Sequence, residues 1–300
     1  MTALASRRTA RDLTQIRVQE PGRIAELWSA RKRRTQRVGA DGKLLIVAAD
    51  HPARGALGVR QEPMAMADRP DLLERLCNAL ARPGVDGVLG TPDILDDLLL
   101  MGALEDKLAI GSMNRGGLQG AVFELDDRFT AYHAHEIHHR GLDGGKMLTR
   151  IALDDPGTAP TLEASAAAVS ELAAYGLMAM VEPFLSQVRD GRVHNLLDPD
   201  STIKSIHIAA GLGASSAHTW LKLPVVEDLE RVMAATTLPT LLLGGDPQGD
   251  PQDTYARWAE ALTISPVRGL VVGRALLYPP DGRVEQAVDI AARLVHEELV

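Results

Sequence analysis

The sequence predicts an α/β protein, a (β/α)8 TIM barrel with an N-terminal helical extension. Three observations lead there. Eight short apolar runs recur from residue 43 onward, longer amphipathic stretches separate them, and the 300-residue length suits one barrel of about 250 residues plus an extension. The runs are Lys43–Ala49, Gly87–Gly90, Leu108–Ser112, Lys146–Ile151, Leu177–Leu185, Thr219–Leu223, Pro239–Gly244 and Gly269–Gly273. Each is rich in Val, Leu or Ile and lacks polar alternation, as strands covered on both faces of a parallel sheet do.

Residues 1–40 form the expected extension and 41–300 the barrel domain. Ile24, Leu27 and Trp28 have helical spacing, so a helix is predicted over about 22–35. The run Arg31-Lys32-Arg33-Arg34 reads as a solvated helix face or a subunit contact. Further on, Leu72, Leu73, Leu76 and Leu80 form a stripe behind Asp68 and Pro70. Thr91-Pro92-Asp93 gives an N-cap with proline at the first helical position, and Gly102 closes that helix. Arg128–Arg140, Leu162–Tyr175 and Val284–Val300 also read as helices. Strand and helix alternating eight times favours a closed barrel over an open sheet.

Bulk properties exclude several classes. The net charge of −8 disfavours nucleic-acid or anionic-membrane binding, and 3% aromatics leave few base-stacking platforms. The single cysteine, Cys77, permits neither an intrachain disulfide nor a Cys-rich metal site and reads as core. No apolar run approaches the roughly 20 residues of a membrane span. Arg7-Arg8 lacks a following apolar region, so no export signal is read and a cytoplasmic location is expected.

Four charged residues interrupt the apolar runs. Asp50 ends the first, Lys146 opens the fourth, Glu182 sits in Met-Val-Glu-Pro-Phe, and Lys222 sits in Thr-Trp-Leu-Lys-Leu-Pro. A barrel interior is packed, and sites form at the C-terminal ends of its strands. A desolvated lysine has a lowered pKa, and a second lysine nearby lowers it further. The neutral amine can attack a ketone to form a Schiff base, while carboxylates pair with remaining charge and move protons. Two glycine loops follow the last two runs: Leu243-Gly244-Gly245-Asp246 and Val272-Gly273-Arg274-Ala275. Backbone N–H groups there can approach a phosphate, and Arg274 adds a charged fork.

These residues resemble a known superfamily. Ala-Ala-Asp50-His, Gly-Gly-Lys146-Met-Leu, Val-Glu182-Pro, Leu-Lys222-Leu-Pro and Val-Gly273-Arg274-Ala are similar to markers of the class I aldolases that include deoxyribose-phosphate, tagatose-bisphosphate and sulfofructose-phosphate aldolases. The likeness spans about 42–295. It implies that Lys222 forms the imine and that Asp50, Lys146 and Glu182 serve the active site. Leu223-Pro224 departs from the deoxyribose branch, and Ser112-Met113-Asn114-Arg115-Gly116-Gly117 departs from the tagatose enzymes. The whole chain is similar to actinobacterial aldolase-like proteins associated with inositol breakdown. That likeness implies cleavage of 5-dehydro-2-deoxygluconate 6-phosphate to dihydroxyacetone phosphate and malonate semialdehyde. Glu182 is the preferred proton carrier, with Asp50 second. Lys146 would depress the Lys222 pKa, and Gly244, Gly245, Gly273 and Arg274 would hold the phosphate. No metal or other cofactor is expected, and a homo-oligomer is. The alternatives are another imine-forming lyase or acyl-transfer enzyme of this fold, or a non-catalytic sugar-phosphate-binding barrel.

Two motifs compete with this reading. His135-Glu136-Ile137-His138-His139 matches H-E-x-x-H, but the helix would lie on the outer ring with no compelling third ligand. Gly211-Leu-Gly213-Ala-Ser-Ser is a partial dinucleotide pattern without its last glycine and reads as a turn before the sixth strand. His51 could touch substrate or serve the structure alone.

Overall fold

The computed structural model describes residues 10–114, 117–245, 247 and 249–296. Arg7, Arg8, Arg115, Gly116, Asp246 and 297–300 lie outside the described residues.

Eight parallel strands close into a barrel: β1 (Leu44–Ala48), β2 (Gly87–Gly90), β3 (Leu108–Ser112), β4 (Gly144–Ile151), β5 (Met178–Arg189), β7 (Thr219–Pro224), β8 (Thr240–Leu243) and β9 (Val267–Val272). Pairing of β1 with β9 and of β4 with β5 completes the ring. The ninth strand, β6 (Arg192–Asn195), pairs antiparallel with the outer end of β5. β5 therefore outruns the predicted strand, which stopped at Leu185. Asp190 and Gly191, with φ of 52° and 70°, make the hairpin turn, as an Asp-Gly pair does readily.

Side-chain parity sorts each strand. Leu44, Ile46, Ala48, Leu108, Ile110, Met178, Met180, Leu241 and Val271 pack in one buried cluster. Their alternates, including Leu45, Val47, Ala109, Met147, Ala179, Val181, Leu221, Leu223 and Val272, join the larger cluster that includes the helix residues. The first set therefore fills the barrel and the second meets the surrounding helices.

The helices are α3 (Arg69–Leu80), α4 (Pro92–Leu100), α5 (Ala134–His139), α6 (Thr158–Ala174), α7 (Pro199–Ala210), α8 (Leu229–Met233), α9 (Pro251–Ala261), α10 (Arg274–Leu277) and α11 (Val284–Val295). Asp68 and Asp198 cap α3 and α7 through their side chains, each with proline at the first turn. Gly102 takes φ +71° just past α4. The helix predicted over 128–140 shrinks to Ala134–His139, because Phe129 bridges to Asn114 and Ala131 N–H donates to Met113 O. The backbone there extends the end of β3 instead of coiling. His135 and His139 stack with ring centroids 6.1 Å apart on exposed surface, and His138 stacks on Tyr175. Among the described residues no group of three or more His, Cys, Asp or Glu is placed to hold a metal ion. Gly211 and Gly213 form the turn after α7. Cys77 is buried on α3.

The extension holds two helices, α1 (Ala10–Gln19) and α2 (Arg23–Ala30), where one was predicted. The cationic run is neither helical nor simply solvated. It straps the N-terminal rim of the barrel. Arg31, with no exposed side-chain surface, donates to Lys107 O at 2.7 Å and Gly141 O at 2.9 Å and lies 3.5 Å from Asp143. Arg33 joins Asp143 at 3.3 Å and Arg34 pairs with Asp86. Both carboxylates also work on the sheet: Asp86 accepts from Leu45 N–H and Asp143 from Ala109 N–H. The strap therefore neutralises two acids that tie neighbouring strands together.

Replacing Arg31 by Ala leaves buried carbonyls and a buried carboxylate short of a donor. It is expected to lower unfolding stability by about 3–5 kcal/mol. Lys32→Ala, which removes only the exposed pair with Asp106, should leave the urea midpoint unchanged. Equal midpoints for both variants would contradict the strap.

Candidate active site

The four charged residues meet at the C-terminal mouth of the barrel. Parity explains why. Met147, Val181, Leu221 and Leu223 face the helices, so Lys146 on β4, Glu182 on β5 and Lys222 on β7 must face the interior. Asp50 follows Ala48 at the same parity, just beyond β1. All four are buried, with relative exposures of 2–8%.

They form one chain of contacts. Lys146 Nζ donates to Asp50 Oδ2 at 2.9 Å and lies 2.6 Å from Glu182 Oε2. Lys222 Nζ lies 3.2 Å from Glu182 Oε1. Glu182 thus spans the two amines, one on each oxygen. Charges balance, two against two, as buried ions require.

The two lysines are not equivalent. Burial works against the ammonium of Lys146, but Asp50 and Glu182 outweigh it and its pKa is raised. Burial lowers the pKa of Lys222, Glu182 opposes, and Lys146 adds to the lowering; the net shift is downward. Burial also works against the Glu182 carboxylate, yet Lys146 and then Lys222 bring its pKa from 4.5 to about 2. Asp50 moves down in the same way, through Lys146 and Lys222. The mouth therefore holds two carboxylates, a firmly held Lys146 ammonium and a Lys222 ammonium that gives up its proton more readily than an ordinary lysine.

A cavity of about 400 Å³ opens above this chain. Its walls include Asp50, Lys146, Glu182 and Lys222, together with Gly244, Gly245, Gly273 and Arg274 from the ends of β8 and β9. Every described site residue expected from the sequence thus borders one space. Gly245 takes φ +62°, a conformation that favours glycine. At Gly273 a Cβ would lie 2.2 Å from Ala48 O, so only glycine lets β9 close on β1 there.

Arg54, Asn195, Arg257 and Phe184 also line the cavity, and sequence reasoning missed them. Asn195 arrives on the β6 arm, where it accepts from Ser186 Oγ at 2.9 Å. Arg257 belongs to α9, whose pattern marks it only as an outward residue. Nothing local in the sequence points either one inward.

The Cgl0159-like family model matches residues 42–292, which is the barrel. The chain belongs to the Cgl0159-like family. This Cgl0159-like barrel is similar to the crystal structure of Cgl0159 from Corynebacterium glutamicum, with 58% identity, 96% of this chain and 97% of that one covered, and a TM-score of 0.93. It is also similar to a Schiff base-forming fructose-1,6-bisphosphate aldolase, at 19% identity over 91% of this chain and 100% of that one, TM-score 0.64. An archaeal fructose-1,6-bisphosphate aldolase, solved with its catalytic lysine bound to a carbinolamine intermediate, matches at 18% identity over 91% and 99%, TM-score 0.63. At that identity the Cgl0159-like chain and these aldolases share the fold. Among curated proteins none matches the sequence. No described helix is long and apolar enough to cross a membrane.

Removing Lys146 leaves the buried Asp50 carboxylate without its lysine and Glu182 with Lys222 alone. Lys146→Met is expected to cost about 3–5 kcal/mol at pH 7, whereas Lys222→Met, which leaves Lys146 on Glu182, should cost clearly less. The depressed Glu182 pKa adds stability that is complete above about 4.5 and lost as pH falls toward 2. Thermal unfolding of wild type and Glu182→Gln from pH 7 to pH 2 checks this. The wild-type Tm should fall faster than that of the variant across the window.

Proposed function

We propose that the chain is a class I aldolase, a carbon–carbon lyase that uses Lys222 as its Schiff-base nucleophile. One observation carries the reading: two buried lysines share the carboxylate of Glu182, and their pKa values move in opposite directions. Lys146 keeps its proton and its place. Lys222 is the amine that can lose its proton and attack. The fold shared with aldolases described as forming a Schiff base or a carbinolamine supports the assignment.

The reaction follows from these positions. Neutral Lys222 Nζ adds to a ketone carbon, and the carbonyl oxygen takes up a proton to give a carbinolamine. Loss of water leaves an iminium. A base takes the proton from the hydroxyl on the carbon beyond the scissile bond. The C–C bond breaks, its electron pair passes into the iminium as an enamine, and an aldehyde departs. Protonation and hydrolysis then release the ketone product and free the lysine. Glu182, 3.2 Å from Lys222 Nζ, is the proton carrier in this scheme, and Asp50 stands second. Lys146 holds both carboxylates in position and opposes protonation of Lys222.

The substrate is a phosphorylated ketose or keto-acid. Arg54, Arg257 and Arg274 surround the cavity in a chain of net charge −8, so the mouth is locally positive. Gly244, Gly245, Gly273 and Arg274 would receive the phosphate, whose binding positions the ketone over Lys222. 5-Dehydro-2-deoxygluconate 6-phosphate is the first substrate to assay, with tagatose-bisphosphate-like and sulfofructose-phosphate-like ketoses next. An adduct without turnover on any of them would favour the non-catalytic sugar-phosphate-binding alternative.

Borohydride with a ketose phosphate should reduce the imine to a stable adduct on the Lys222 peptide, seen by mass spectrometry. Lys222→Ala should give none. Glu182→Gln should slow cleavage by about 10²–10⁴-fold. Chelator should change nothing. Full activity in Lys222→Ala ends the proposal.

A further inference from the structure

The N-terminal strap and the C-terminal helix meet on one carboxylate at the rim opposite the cavity. Asp86, just before β2, accepts from Leu45 N–H of β1 at 2.7 Å and pairs with Arg34 of the strap. Its third partner comes from the other end of the chain. His296 follows α11 and places Nε2 3.1 Å from Asp86 Oδ2. Its Nδ1 contacts Asp41 Oδ2 in the turn before β1. The ring is mostly buried, and His296 N–H continues the helix by donating to Ala292 O at 2.8 Å.

Two carboxylates against two ring nitrogens dictate the protonation state. A neutral imidazole has one N–H and one lone pair, so it can donate to Asp41 or to Asp86 but not to both. The other nitrogen would then turn its lone pair toward a carboxylate oxygen. Imidazolium donates to both. It also screens two like charges, because Asp41 and Asp86 repel each other. Burial works against the imidazolium, but the hydrogen bonds and charges of Asp86 and Asp41 outweigh it and raise the pKa above 6.5. Around the pair, Arg34 and Lys107 act on Asp86 from the strap and from just before β3. Lys43 N–H donates to Asp41 Oδ1 at 3.0 Å.

The contact lies where the helix ends. α11 packs on α3, α9, α10 and β1 and stops at Val295, one residue before the ring. A cation there also meets the negative end of the helix dipole. Arg82 holds Asp289 in the middle of α11, at 2.7 Å on each oxygen. That pair keeps its charges through neutral pH, whereas a histidine changes charge there.

We propose that His296 is a pH-operated latch: as imidazolium it ties the end of α11 to Asp41 and Asp86, and on losing its proton it lets that turn fray. A histidine with a raised folded pKa adds stability that is whole below about 6.5 and lost as pH climbs through the raised value. The carboxylates set the other limit. Burial opposes their ionisation, yet hydrogen bonds led by His296 bring both below 3.8. Their share is whole above that value and lost as pH falls below it. The latch is therefore closed in mildly acidic solution and opens as the solution turns alkaline.

Amide hydrogen exchange in the last turn of α11 tests this, with protection corrected for the pH dependence of free amides. From pH 6 to pH 9, wild-type protection should fall on the order of tenfold. In His296→Arg a cation that does not titrate faces both carboxylates, so protection should stay high across the range. In His296→Gln it should be low and flat. Amides around Asp289 should keep their protection in all three, which reports an intact barrel. A flat wild-type profile overturns the latch, as does a fall that persists in His296→Gln or His296→Arg. A fall of equal size around Asp289 overturns it too, because the opening is then not local to the turn.

Discussion

Glu182 is the hinge of the electrostatics. Its two oxygens each hold a buried amine, Lys146 at 2.6 Å and Lys222 at 3.2 Å. Because Asp50 holds the far side of Lys146, the four charges run in a line: Asp50, Lys146, Glu182, Lys222. An inner member of such a line has two opposite neighbours and an end member has one. Lys146 is inner, so its proton is retained. Lys222 is an end member that touches one carboxylate, so burial and the Lys146 charge together outweigh Glu182 and the more distant Asp50. Order along the line, more than burial itself, separates the two lysines, since both are buried to the same degree.

The line can exist only because the barrel supplies it with fixed anchors. Three members stand on three strands, β4, β5 and β7, that are hydrogen-bonded neighbours, and the fourth follows β1 across the mouth. Below them the inward layer is apolar, with Met180 beside Lys146 in register and Leu241 beside Lys222. Those neighbours strip water from the amines and make the pairing obligatory. The opposite rim follows the same rule with other residues. Asp86 and Asp143 tie strands together there, and the Arg31–Arg34 strap neutralises them from outside the barrel. The molecule places balanced buried charge at both ends of its strands. At the C-terminal end a cavity lies over it.

The parts legible in the sequence were those with a local cause. Strand runs, Asp68 and Thr91 with their prolines, and Gly102 each act within a few residues. The four site charges were legible because each interrupts or ends an apolar run, where a lysine or carboxylate is conspicuous. What was not legible depends on distant partners. Arg31 reads as solvated until Gly141 and Asp143, more than 100 residues later, come to meet it. The β6 arm is polar and exposed, so no apolar pattern announces it, although Asp190-Gly191 could have. The short α5 has the composition of a longer helix, and tertiary pairing of 129–131 with the end of β3 overrides that propensity.

The glycines show how one residue can answer to two demands. Gly273 was read from the sequence as a glycine that lets backbone approach an anion. Its neighbour in space is Ala48 O, which a Cβ would overlap at 2.2 Å, so closure of β9 on β1 already requires glycine. Gly245 differs. Nothing crowds its Cβ position closer than 4.0 Å, and its φ of +62° is what excludes other residues. At Gly273 the glycine fits two backbones together; at Gly245 it turns the chain and leaves open space above β8. The phosphate reading therefore draws its strength from Gly245 and from the guanidinium groups of Arg54, Arg257 and Arg274 around the same cavity. Gly273 contributes by bringing β9, and with it Arg274 at the start of α10, against the end of β1 where Asp50 and His51 stand.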